Sequence, residues 1–566
     1  MNQPLNIIFH WHMHQPFYRE ADSGQYHLPW VYLHAMKDYT DMAHILEQVP
    51  GARAVINFVP SLTVQIEDYA NRVNAWLSAP ETHEMPDPLL AALAHDQTLY
   101  STDERALILK SCFRLNHERN LHRYPAFSRL WHIAEHTKQH NAHHYLSNQY
   151  FADLVTWYHL GWLGETVRKH HFIARRLIQK GELYTQQDRF DLITLISQLL
   201  KEIPEKYRKL QQEKKIEIST TPYAHPIIPL MLDFHSAQER IPDAHIPETS
   251  YPHGRARAIN HIQLAQTTHE RTFGVPVTGC WPAEGAVSQE TVALLAETGF
   301  KWCATGEAVL HHSLHYNPRE HHDQGLYHPW EVGSGDHTLP CFFRDDRLSD
   351  LIGFEYSRWQ TTDAVNHFMH ELSGIRHRTQ GCQAPVVSII MDGENAWEHF
   401  HENGLPFLTE LYTRISEDKH YKLTTYDAYL ADHAKAMRPL AHVVAGSWVY
   451  GNLSTWIGDD AKTRAWELLI EAKSSLEKCW PKMGQQQRQA ADEQLRICEG
   501  SDWCWWFGDY NPSDVVQDFD NLYRQHLRKL YTIMGANTPA SLEAQLSSGG
   551  GTAEDGGTMR RNTPTA

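Results

Sequence analysis

The sequence predicts an α/β protein whose leading architecture is a (β/α) barrel or a distorted form of one. Three observations carry this. Short β-branched or aromatic runs recur along the chain, helical apolar patterns separate several of them, and histidines or carboxylates stand where some of the runs end. The runs are Asn6–Trp11, Ala54–Val59, Ile216–Ser219, Val277–Trp281, Lys301–Thr305, Cys341–Arg344 and Val386–Met391, each bounded by polar or turn residues as buried strands are. Helical patterns such as Thr291–Glu297 and Ala364–Leu372 fall between them. Strand then helix, repeated, implies a parallel sheet. Seven strands are many for a simple sandwich and close to the eight of a (β/α) barrel, where chemistry gathers at the strands' carboxyl ends.

Two long stretches fall outside that alternation. Between about 87 and 215 the pattern is helical and rich in His, Trp and Leu, which reads as a large helical insertion. After Thr424 strand signals nearly vanish, and Lys462–Ser475, Gln485–Ile497 and Ser513–Ile533 read as helices. The expected organisation is a barrel over 1–425 with its insertion, a helical domain over 426–540 that closes over the barrel mouth, and a tail. That tail, 547–566, carries Gly, Thr and charge without apolar periodicity and is expected to be disordered.

Composition excludes several functions. With 51 Lys plus Arg against 68 Asp plus Glu, the 566-residue chain carries −17 and lacks the basic field of a nucleic-acid binder. The eight cysteines are dispersed with no CxxC pair, which argues against a structural zinc or dithiol site. The amino terminus puts His10, His12 and His14 where a signal peptide would be apolar, and no run of about 18 uncharged apolar residues occurs. A cytoplasmic protein without a membrane partner is therefore expected. Its 18 Trp and 25 Tyr suit a ligand whose faces are stacked upon.

Three segments carry candidate chemistry. In FHWHMHQP, alternate histidines on a strand face one side, able to hold a metal or to hydrogen-bond a ligand's hydroxyls. In GCWPAEGAVSQE, Glu284 follows a strand and precedes a helix opened by Ser288, where a barrel exposes working groups. In VVSIIMDGENAWEHF, a buried strand delivers Asp392 and Glu394 into a Gly-containing turn, and carboxylates there are costly unless paired or working. Two carboxylates at two strand ends meet the requirement of glycoside hydrolysis. Trp281, Trp397, Trp503, Trp505 and Trp506 offer apolar faces to sugar rings, and SDWCWWFGD adds Asp502 and Asp509 from the helical domain.

The same residues resemble glycoside hydrolase family 57, in particular its α-amylase and amylopullulanase-like branch. The resemblance runs to about residue 535 through HMHQP, INFVPSLTVQIEDY, IEISTTPYAHPIIPLM, GCWPAEGAVS, ATGEAVL, FRDDRLSDLIGFEYSRW, MDGENAWEHF, GSWVYGNLSTWIG and SDWCWWFGD. It implies a (β/α)7 barrel followed by a helical domain, and a retaining mechanism on α-glucosidic linkages of α-glucans or maltooligosaccharides. By motif, Glu284 is similar to the family's nucleophile and Asp392 to its general acid/base. His12, His14, Glu217, Glu394, Asp502 and Trp503 are similar to its ligands of the sugar beside the scissile bond. No cofactor or metal is implied. The same pair would serve a 4-α-glucanotransferase or a branching-type transglycosylase. Outside that chemistry stand a metal-dependent amidohydrolase-like barrel, with His12 and His14 as ligands, and a glycan-binding protein without catalysis.

Overall fold

A computed structural model of the chain describes residues 3–95, 100–316, 325–433 and 437–551. Ten strands form one sheet: β1 (Leu5–Met13), β2 (Ala54–Phe58), β3 (Ile216–Thr220), β4 (Gly279–Cys280), β5 (Trp302–Thr305), β6 (Trp330–Ser334), β7 (His337–Phe343), β8 (Val386–Asp392), β9 (Tyr421–Leu423) and β10 (Arg438–Pro439). The order β7-β5-β4-β3-β2-β1-β8 is parallel at every step. A parallel bridge between Arg344 and Ser388 joins the two ends. Seven parallel strands thus close on themselves, and each coincides with one of the seven runs read from the sequence. β4 is short because Pro282 follows it closely and has no N–H to give a ladder. The sequence missed β6, which pairs antiparallel with β7, and the two small strands β9 and β10. β10 has only two residues, too few to show a pattern.

Side-chain alternation sorts the barrel into two faces. Ile8, Val55, Trp302, Val386 and Ile390 fill the interior together with Trp281 and Tyr426. Phe9, Trp11, Met13, Ile218 and Ile389 point outward into the main core beneath the helices. The parallel strands, covered on both sides, are therefore buried along nearly their whole length.

Helices from Pro88–Ala94 to Gln186–Gln212 fill the span between β2 and β3, in the stretch read as an insertion. Beyond β10 come Asp460–Cys479, Gln485–Cys498 and Ser513–Met534, each within a few residues of its sequence reading. Residues 552–566 of the expected tail lie outside the described residues. The tail's first residue, Ser547, is buried, and its hydroxyl accepts from the Gly508 N–H at 2.9 Å. None of the described helices is long and apolar enough to cross a membrane.

Candidate active site

The carboxyl ends of the barrel strands open into a cavity of about 580 Å³. Glu284, Asp392, Glu394, His12 and His14 all line it, and so do Asp502, Trp505 and Trp506 from beyond the barrel. Chain segments from both ends of the sequence thus meet at one place.

Glu284 owes its exposure to a strained turn. It sits at φ 58°, ψ 22°, the left-handed region that side-chain-bearing residues avoid at a cost of about 1–3 kcal/mol. Neighbouring strands hold it there: the Trp281 N–H donates to Thr220 O on β3, and the Thr305 hydroxyl of β5 donates to Gly285 O. Trp448 grips the same residue twice. Its backbone N–H donates to Glu284 O at 3.1 Å and its indole N–H to Oε2 at 2.8 Å. Oε1 lies 3.9 Å from Nδ1 of the buried His225.

Asp392 ends β8 in register with His12 on β1. Burial raises its pKa, while a hydrogen bond from Asn395 Nδ2 at 2.8 Å and the charges of His14 and Arg344 oppose the rise. Gly393 follows in close packing: an added Cβ would lie 2.1 Å from Met13 Sδ, so the Met13 side chain would have to shift to admit one. The turn beyond it carries Glu394 back under the cavity. Its Oε1 accepts from the His14 N–H at 3.1 Å, Gln15 Nε2 at 3.1 Å and the Tyr39 hydroxyl at 3.2 Å. Its Oε2 has no hydrogen-bond partner. Burial, and then the Asp392 charge, drive its pKa well above the carboxylate range, so a neutral Glu394 has an O–H to donate.

The histidines are arranged as hydrogen-bonding groups. Burial and then His14 push the His12 pKa well down, so its Nδ1–H donates to Asn57 Oδ1 at 2.7 Å and its Nε2 is left as an acceptor. His14 Nε2 meets Asp502 Oδ1 at 2.7 Å. His225, neutral through burial and its histidine neighbours, stacks on the His14 ring at 3.9 Å and 19°. His14, His225 and Asp502 each bring a potential ligand atom within 4.8 Å of the others. Nearly parallel stacked rings direct their in-plane lone pairs side by side rather than at a common point, so this trio does not fit a metal ion without turning a ring. His12, a ligand in the metal reading of the sequence, is not in the group.

Four residues expected at the sugar fall elsewhere. Glu217 shares its pleat level with Val55, below the layer of Asn57 and Ser219, and faces the barrel interior. Its oxygens accept from Trp302 Nε1 at 2.7 Å and from the Asp427 N–H at 2.9 Å, so it does not reach the cavity. Trp281 is fully buried, edge-on to His10 and Trp448. Trp397 packs on Trp11 and gives its N–H to Gly393 O at 2.8 Å, bracing the turn that carries the two carboxylates. Trp503 gives its N–H to Ile497 O at 2.9 Å and packs on Tyr523. These tryptophans support the site from behind.

Sequence reasoning missed Trp448, His225 and Arg344, and with them Trp30 and Trp162, which line the cavity. Trp448, His225 and Arg344 lie in GSWVYGNLSTWIG, TPYAHPIIPLM and FRDDRLSDLIGFEYSRW. Those segments carried the family resemblance, but no periodicity assigned these residues a place.

No curated protein matches the chain. Several solved structures share its fold. A branching enzyme from Pyrococcus horikoshii superposes with a TM-score of 0.57 at 14% identity, covering 95% of this chain and 93% of its own. An α-amylase from Thermotoga maritima gives 0.56 at 13% identity, with 96% of each chain covered. A 4-α-glucanotransferase from Thermococcus litoralis gives 0.51 at 14% identity, covering 94% of this chain and 60% of its own. The model of one sequence family, described as Glycosyl hydrolase family 57, matches residues 8–442, a span that takes in six of the seven barrel strands and most of β1, together with Glu284 and Asp392. The chain belongs to glycosyl hydrolase family 57.

Proposed function

We propose that the chain is a retaining glycoside hydrolase that cleaves α-glucosidic linkages of α-glucans or maltooligosaccharides in the manner of an α-amylase. One observation carries the reading. Glu284 and Asp392 line one cavity in different environments, the first with an indole N–H on its oxygen and the second buried with a raised pKa. That asymmetry suits double displacement. Asp392, protonated, gives its proton to the leaving oxygen as Glu284 Oε1 attacks the anomeric carbon, and the glycosyl–Glu284 ester forms. Asp392 then takes a proton from the entering water, which displaces Glu284. His12 Nε2 accepts from one sugar hydroxyl and Glu394 donates to another, while Asp502 holds the His14 ring. No step calls on a metal.

The cavity walls also offer a second outcome of the same intermediate. Trp30, Trp162, Trp505 and Trp506 offer apolar faces on which an acceptor sugar can compete with water. Hydrolysis is still expected to dominate, because the motifs lean toward the amylase-like branch, with transfer at high oligosaccharide concentration. If transfer products dominate at low concentration, the chain is a 4-α-glucanotransferase or a branching enzyme with the same catalytic pair. Maltooligosaccharides of defined length decide this: shorter products alone mean hydrolysis and longer ones mean transfer. A slow fluorinated glycoside should label Glu284, and Glu284→Gln should lower turnover about 10³-fold or more. A label on another carboxylate overturns the assignment.

A further inference from the structure

Arg344 stands at the seam where β7 meets β8. The seam itself is made by backbone: the Arg344 N–H donates to Thr305 O at 2.9 Å and the Asp345 N–H to Ser388 O at 2.8 Å. The guanidinium is not needed to close the barrel, yet it is buried and each of its three nitrogens has a partner. Nε donates to Ile390 O on β8 at 2.7 Å, Nη1 to Asp346 at 2.5 Å and Nη2 to Asp350 at 2.7 Å. It also lies 5.7 Å from the centre of the Trp448 ring, and it lines the cavity.

Two of those contacts lead to the two working carboxylates. Trp448 gives its indole N–H to Glu284 Oε2, and Ile390 is two residues before Asp392 on the same strand. We propose that Arg344 is a positioning residue that couples the catalytic pair, holding the Trp448 indole against Glu284 and the end of β8 that presents Asp392. The planar guanidinium suits the task, since three in-plane donors and a stacking face leave it one orientation, whereas a lysine ammonium would keep the charge and lose the fork. The inference rests on the assignment of Glu284 and Asp392 above.

A charge consequence follows. Arg344 faces Asp346 and Asp350, together with Asp345 and with Glu307 of the preceding helix (Glu307–Tyr316), and its positive charge opposes the rise that burial imposes on Asp392. Asp392 is also faced by His14, Glu394 and Asn395. Removing the guanidinium takes away that opposition, so the Asp392 pKa rises further. The alkaline limb of the rate profile, set by loss of the Asp392 proton, moves to higher pH.

The test compares wild type, Arg344→Gln and Arg344→Lys, using the full chain. Arg344→Gln should move the alkaline limb of kcat up by about 0.5–1 pH unit, as expected for loss of one nearby full charge at an effective dielectric of about 20. It should also slow labelling of Glu284 by the fluorinated glycoside about tenfold or more, with KM little changed. Arg344→Lys should keep the limb and still slow labelling. In a Trp448→Phe background, which lacks the indole donor, Arg344→Lys should slow labelling no further. A folded Arg344→Gln with both limb and labelling as in wild type overturns the proposal, and so do losses that multiply in the Arg344→Lys, Trp448→Phe double variant. If Arg344→Gln fails to fold, the lysine cycle alone decides. Wild-type label on a carboxylate other than Glu284 defeats the parent assignment instead.

Discussion

At the scale of single residues, Asp392 and Glu394 show how much a turn can separate two carboxyl groups of one motif. Asp392 ends the strand facing the cavity, while Glu394, folded back beneath it, accepts three hydrogen bonds on one oxygen. In the proposed mechanism Asp392 protonates the leaving oxygen. Asp392→Asn should therefore flatten the alkaline limb and should slow natural linkages far more than activated aryl glycosides, whose leaving groups need no proton. Initial rates on both substrates across pH check this; equal losses argue against an acid role. Glu217 is the opposite case. Burial and the neighbouring Asp427 raise its pKa above the carboxylate range. Because the folded value lies above the unfolded one, its contribution to stability is fully present below the ordinary carboxylate pKa and is lost as pH rises toward the raised value. Glu217→Gln should keep activity within about threefold and make the melting temperature less dependent on pH across that window. Thermal melts with parallel kinetics test this, and a large loss of kcat would return Glu217 to the sugar.

Among the elements, four consecutive residues join the carboxyl-terminal helices to the barrel. Glu499 is buried and accepts from Tyr251, Arg257 and His261, whose company holds its pKa well below the usual range although burial alone would raise it. Ser501 donates its N–H to His225 O at 3.0 Å and meets His225 Nδ1 with its hydroxyl at 2.8 Å. Asp502 reaches His14. Between them Gly500 leaves no room, since an added Cβ would lie 2.9 Å from Ala224 O, a backbone atom that cannot swing away. Gly500→Ala should cost about 1–3 kcal/mol of stability and move Asp502 off His14. The expected result is a lower melting temperature together with a fall in kcat. An alanine variant with wild-type kcat would show that the segment only tethers.

Across the whole molecule the cavity is a composite. Its floor is the barrel, one wall carries Arg114 and Trp162 from the helical stretch after β2, and another carries Trp505, Trp506 and Tyr510 from beyond β10. Arg114 and Asp514 bridge the two walls at 3.2 Å. A chain ending before Gly500 should lose activity, and one ending at residue 430 should have none. At the far end the expectation is graded. Removing 552–566 should leave kcat unchanged, whereas ending at Leu546 removes the Ser547 contact with Gly508 and the N–H groups of Gly550 and Gly551 that bond Asn511 O beside Tyr510. That shorter chain should show a raised KM for long oligosaccharides with little change in kcat on short ones. Kinetics of the truncation series against chain length checks each step.

By itself the sequence determined the alternation of strands and helices, because a buried parallel strand must be a short apolar run and a helix must repeat its apolar face. It also marked Glu284, Asp392, His12 and His14, since charged or polar groups at the ends of buried runs are costly without a task, and the aromatic segment SDWCWWFGD marked Asp502. What it left open was depth and direction. Glu217 belongs to a motif as specific as the others, yet its pleat level puts it inside the barrel, and pleat level depends on register with β2. The tryptophans show the same limit: Trp397 and Trp503 became core while Trp505 and Trp506 line the cavity, although all share the same chemistry. Trp448, His225 and Arg344 come from segments whose contacts are long-range, 164 residues separating Trp448 from the Glu284 it grips. Only closure of the barrel, which brings β7 against β8 and lays the carboxyl-terminal helices over the strand ends, decided that these side chains meet, because no local periodicity encodes a contact between distant parts of a chain.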